Sequence, residues 1–164
     1  MWAPNTYTLE EKAGAKTMCD GKDGGAIVPG ALFARSEYAK EHPQNVAKFL
    51  AVYLRAQQWA LANRKEATAM MKKFYDQGGV AISDSAMAKE FDTRPVFNLA
   101  GQLKAMSRAG GASEMDGWFA RIGDFMKAAG SVPEAPAPSS FINDSYMKMV
   151  DADAKLRAFA NKTN

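Results

Sequence analysis

The chain has 164 residues, 47% of them apolar and 24% charged, with a formal net charge of +3. That is the size of one ordinary domain and the balance of a globular chain rather than a disordered one. Its cations are interleaved with acids and no run reaches the roughly 18 apolar residues of a spanning helix, which argues against nucleic-acid binding and a membrane-crossing segment. One cysteine, Cys19, and one histidine, His42, can form neither an internal disulfide nor a zinc site of the usual N/S kind. Neither sits in a setting that would activate a nucleophile, so metal and thiol chemistry are not expected, and no cofactor is expected.

The chain opens with a loop and a short helix candidate in which Thr8 is the cap, Glu11 stands at the capping-box position and Gly14 is the stop. After the Gly-rich GKDGG, the run AIVPGALFARS is the strand candidate, with the paired part expected over residues 31–35. Ser36 can cap a short turn, SEYAKEH, which ends at Pro43.

From Pro43 the period becomes helical, with Val46, Phe49, Leu50, Tyr53, Leu54, Gln57 and Leu61 marking one face. Asn63 reads as the cap of RKEATAMMKKFYDQ, with Glu66 at the capping-box position. Met70, Met71, Phe74 and Tyr75 would be its buried stripe and Gly78 its end. Ser83 caps a shorter helix that closes before Arg94-Pro95, and a further helix carries Leu99, Leu103 and Met106 as far as Gly110-Gly111. Ser113 and Asp116 are spaced as a capping box for a helix with Met115, Trp118, Phe119, Ile122, Phe125 and Met126 on a wide apolar face. Gly130 ends it, VPEAPAPSS is a Pro-rich extended connector, and two short helices finish the chain.

The expected fold class is therefore mainly α, about seven helices with one or two short strands. A lone strand cannot satisfy its own backbone hydrogen bonds, so the sheet is incomplete in this chain.

The order of these pieces resembles ABC-transporter substrate-binding proteins of the nitrate/sulfonate/taurine type. The residues that carry it are Trp2-Ala3-Pro4, the strand at 31–35, Tyr38 to Pro43, Trp59 to Asn63, and Glu66-Ala67. The likeness runs to about Asp76 and continues weakly through Arg94-Pro95-Val96-Phe97. It implies the C-terminal portion of a type II periplasmic-binding-protein α/β lobe. Residues 1–25 would be the exit segment of the second lobe with a cleft-edge loop, and residues 26–164 the C-terminal helical part of the first lobe. It also implies a periplasmic or cell-surface location, a small anionic solute, an ABC permease, a missing N-terminal half as partner, and no enzyme activity.

Trp2, Pro4 and Asn5 are the candidate solute contacts, because the corresponding family segment lies at the cleft and an indole with an amide suits a small polar solute. The plain alternative is a tryptophan packed at the lobe edge. His42 reads as a cap or surface residue. Arg94 can meet an anion or a neighbouring carboxylate. Trp59, Trp118, Met70 and Met126 read as core, and Lys72-Lys73 as a solvated face. Two other functions compete: a stand-alone helical interaction module that dimerises through its orphan strand, and an enzyme fragment like the thiamine-pyrimidine synthases. One Cys and one His count against the enzyme.

Overall fold

Four of the helices start where a short polar side chain accepts a backbone N–H that the first turn would otherwise leave unpaired. Ser83 accepts from Ala86 N at 3.0 Å and opens α5 (Asp84–Thr93), while Asn98 accepts from Gly101 N at 2.9 Å and opens α6 (Leu99–Met106). Ser113 and Asp116 exchange bonds as a complete capping box at the start of α7 (Glu114–Ala128). Asp153 accepts from Lys155 N and Leu156 N and opens α9 (Ala154–Ala160). The other helices are α1 (Asn5–Ala13), α2 (Ser36–Glu41), α3 (Pro43–Ala62), α4 (Arg64–Gln77) and α8 (Ser145–Ala152), with a 3₁₀ turn at Pro138–Ser140 inside the Pro-rich connector. The computed structural model describes residues 3–21, 23, 27, 29–94 and 96–163.

The fold is mainly helical, and no strand occurs among the described residues. Residues 31–35, expected as the strand, are unpaired and exposed, with Phe33 94% exposed. No strand among the described residues is there to pair with this stretch, in keeping with a sheet that is incomplete in this chain. The segment SEYAKEH is a helix rather than a turn, and its cap position is Arg35, with no side-chain cap. His42 is exposed and joins α2 to α3, with its ring 4.8 Å from that of Tyr38.

The main core forms around α3, onto which α8 and α9 pack, with α6 against α8 and α7 against α6. Ala47, Ala51 and Leu54 of α3 are buried with Leu99, Val150 and Ala160. The two alanines let α8 and α9 approach closely, and this selects the buried face. Phe49, Tyr53 and Leu61, expected inside, consequently lie exposed on the far side. A smaller cluster, Ile82, Ala86 and Met87, is covered by Tyr7, Met71 and Tyr75 and joins α1, α4 and α5.

On α4 the buried residue is Ala67. Met71 and Tyr75 are partly covered, but Met70 and Phe74 are exposed. Trp118 is buried as expected, whereas Met126 and Phe125 lie outside. In α7, a Cβ on Gly123 would stand 2.8 Å from Ala135 Cβ, so glycine is what allows the connector to lie against the helix. No helix among the described residues is long and apolar enough to cross a membrane.

Candidate functional site

The expected solute contacts cluster at the start of α1. Pro4 is the N-cap residue and half-buried; its carbonyl accepts from Tyr7 N at 3.1 Å and Thr8 N at 3.2 Å. Thr8 was the expected cap, but it lies inside the helix and its hydroxyl bonds back to Pro4 O. Asn5 is the first helical residue and is exposed. Trp2 lies outside the described residues.

α1 is held by one face. Tyr7, Glu10 and Glu11 recur at i, i+3 and i+4, a spacing that stacks them on one side of a helix. All three reach α5 and its cap. The Tyr7 hydroxyl donates to Glu90 Oε2 at 3.1 Å and also meets Thr93 Oγ1 at 2.9 Å. Glu10 pairs with Lys89, and Glu11 Oε1 accepts from Ser83 and Ser85. Asn5 stands two residues before Tyr7, on the opposite side of the helix, and so faces away from this clamp. No acidic residue stands in the first turn of α1, where the positive end of its dipole lies.

The floor of the clamp is Glu90, a carboxylate only 2% exposed. Arg94 neutralises it, donating to Oε1 from Nε at 3.0 Å and from Nη2. Of the two roles weighed for Arg94, the structure shows the neighbouring carboxylate. Burial, reinforced by the Glu90 charge, pushes the Tyr7 phenol above its ordinary value despite the bond to Thr93. The phenol therefore stays protonated and keeps donating. Replacing Tyr7 by Phe is expected to cost about 1–2 kcal/mol, the worth of a hydrogen bond to a charged acceptor. Urea denaturation measures the loss, and an unchanged midpoint would mean that the Glu10 and Glu11 contacts hold α1 without the Tyr7 hydroxyl.

No family model matches, and no solved structure matches. A curated protein of Bacillus subtilis (strain 168), named "Putative aliphatic sulfonates-binding protein", is 29% identical over 76 residues. The chain is similar to a solute-binding protein. The match takes in 46% of this chain and 23% of that relative, so most of the relative has no counterpart in the match.

No group of three His, Cys, Asp or Glu that could hold a metal occurs among the described residues, and Cys19 is exposed. The structure brings Pro4 and Asn5 together at one helix start and ties that start, through Tyr7, to Glu90 and Arg94. The Tyr7, Glu10 and Glu11 contacts were not foreseen in the sequence. Their helical spacing was the available signal, and their partners lie more than seventy residues away.

Proposed function

We propose that this chain is the C-terminal portion of the solute-binding component of an ABC importer. Its solute would be a small organic or inorganic anion such as a sulfonate, taurine or nitrate. The likeness to the Bacillus subtilis relative carries the reading. The placement of Pro4 and Asn5 supports it: the two residues open α1, whose first turn holds no acid, and Asn5 is exposed. Backbone N–H groups there suit an anion, and the Asn5 amide can add a hydrogen bond. Trp2 would supply the apolar wall. In this reading the chain works outside the cytoplasm, catalyses nothing, and hands its solute to a membrane permease.

A half-cleft lacks the contacts of the opposite lobe, so the chain alone is expected to bind taurine, nitrate or methanesulfonate no tighter than about 1 mM. Isothermal titration measures this, and sub-millimolar affinity in the isolated chain would contradict the half-cleft. Supplying the upstream half should restore binding, and Asn5→Ala should then weaken it about tenfold. If both halves together bind no small anion, the proposal fails.

A second reading has its own observation. Phe33 is 94% exposed, and Leu32, Phe49 and Val52 are each about half exposed or more. Gathered into one patch, such residues would form an interaction surface. Native mass spectrometry separates the readings: a second polypeptide favours the binding protein, and a stable homodimer indifferent to anions favours an interaction module.

A further inference from the structure

A groove of about 380 Å³ runs beside α4, lined by Met70, Met71, Phe74, Tyr75 and Arg94. Its described lining includes neither Pro4 nor Asn5. Four of its five described residues are large and carry apolar or aromatic surface, and two are methionines, whose flexible thioethers adapt to varied shapes. Met70 and Phe74 are mostly exposed, so this surface is open to an incoming molecule.

The one charged residue among the described lining residues is Arg94. Arg94 uses Nε and Nη2 on Glu90, and that carboxylate is buried, fixed also by the Tyr7 hydroxyl. Glu90 therefore braces the guanidinium while itself staying out of the lining. No bond to Nη1 is recorded among the described residues, and the Arg94 side chain is 61% exposed. A guanidinium held in place, with N–H groups to spare at the edge of an apolar surface, suits a planar or tetrahedral anionic head bearing a hydrocarbon tail.

We propose that this groove binds an organic monoanion with a short unbranched alkyl tail. The carboxylate or sulfonate head sits on Arg94 and the tail lies along Met70, Met71, Phe74 and Tyr75. The volume is in the range of small-molecule sites. A cationic or uncharged head gains nothing from Arg94, so the groove selects by charge as well as by tail.

The test is a titration of the full ¹⁵N-labelled chain with butane-, hexane- and octane-1-sulfonate and with hexanoate, followed by amide shifts. Hexan-1-ol and hexylammonium serve as controls. Expected are saturable shifts centred on residues 70–75 and 94, with affinity rising about two- to fourfold per added methylene. The two controls should bind at least about tenfold more weakly. Hexanoate binding as well as hexanesulfonate assigns the site to monoanions at large, and hexanesulfonate alone assigns it to sulfonates. Arg94→Gln should cost about tenfold. Should that variant fail to fold, Phe74→Ser decides, since an exposed side chain can be replaced without unfolding the chain. It should keep the circular-dichroism spectrum and weaken binding about fivefold. Shifts scattered elsewhere, affinity independent of tail length, or equal binding of hexan-1-ol would each overturn the proposal. Failure of taurine at Asn5 bears on the importer reading and leaves this one standing.

Discussion

Replacing Leu54 by alanine is expected to lower the stability of the chain by about 2–5 kcal/mol. Leu54 is 1% exposed, on the α3 face against which α8 and α9 pack. Deleting its isopropyl group loses the transfer free energy of three methyl-sized carbons. It also leaves a void beside Val150 and Leu99 that close-packed neighbours fill only in part. A domain of this size is stable by about 5–15 kcal/mol in all, so a loss in that range moves the urea midpoint strongly. The companion variant is Phe74→Ala on α4, 73% exposed, which should cost under about 0.5 kcal/mol although a larger side chain is removed. Equal losses from the two variants would show that the buried face of one of these helices has been misplaced.

That pair also marks where the sequence is informative and where it is not. Leu54 and Phe74 both sit on apolar stripes at helical spacing, and the pattern alone places both inside. The structure separates them because α3 turns its alanines inward. Ala47 and Ala51 add little to a hydrophobic period, but they permit the close helix approach that fixes the core, and Phe49 and Tyr53 are left outside as a result. Helix boundaries were legible because they are local. The Ser83 and Ser113 caps and the stops after Gln77 and Ala128 depend on residues within one turn. Thr8 and Asn63 failed as caps for the complementary reason. Glu11 is drawn off to Ser83 and Ser85, and the Asn63 amide donates to Trp59 O and to Thr163 O, a hundred residues on. The stretch 31–35 has strand composition, but pairing needs a neighbour that local composition does not provide. The start of α1 was legible as a candidate site through Pro4 and Asn5. The clamp that positions it was not, since each of its bonds to α5 spans more than seventy residues.

Asp116→Asn is expected to cost about 2–4 kcal/mol at neutral pH and much less in acid. Asp116 is 6% exposed and does two jobs at the start of α7. Its Oδ2 accepts from Ser113 N at 2.8 Å, closing the capping box, and from Arg108 Nε at 2.7 Å, while Oδ1 accepts from Arg108 Nη2 at 2.7 Å. Arg108 also donates to Ile142 O, so the pair ties α7 to the segment ahead of α8. Asparagine keeps one acceptor oxygen, but its amide nitrogen must then face a guanidinium N–H, donor against donor. The Arg108 guanidinium, helped by the Ser113 backbone and hydroxyl bonds, holds the Asp116 carboxyl well below the usual carboxylate range. The sign follows from this. In the unfolded chain the group takes up a proton near pH 4, whereas in the native state it stays ionised to much lower pH. Its contribution is therefore complete above about pH 5 and is lost as pH falls through that range. Urea denaturation of both proteins at pH 7 and pH 3 should show the gap between them narrowing in acid. A gap of the same size at both values would mean that packing, not charge, accounts for the loss, and no gap at pH 7 would mean that Arg108 is held by Ile142 alone.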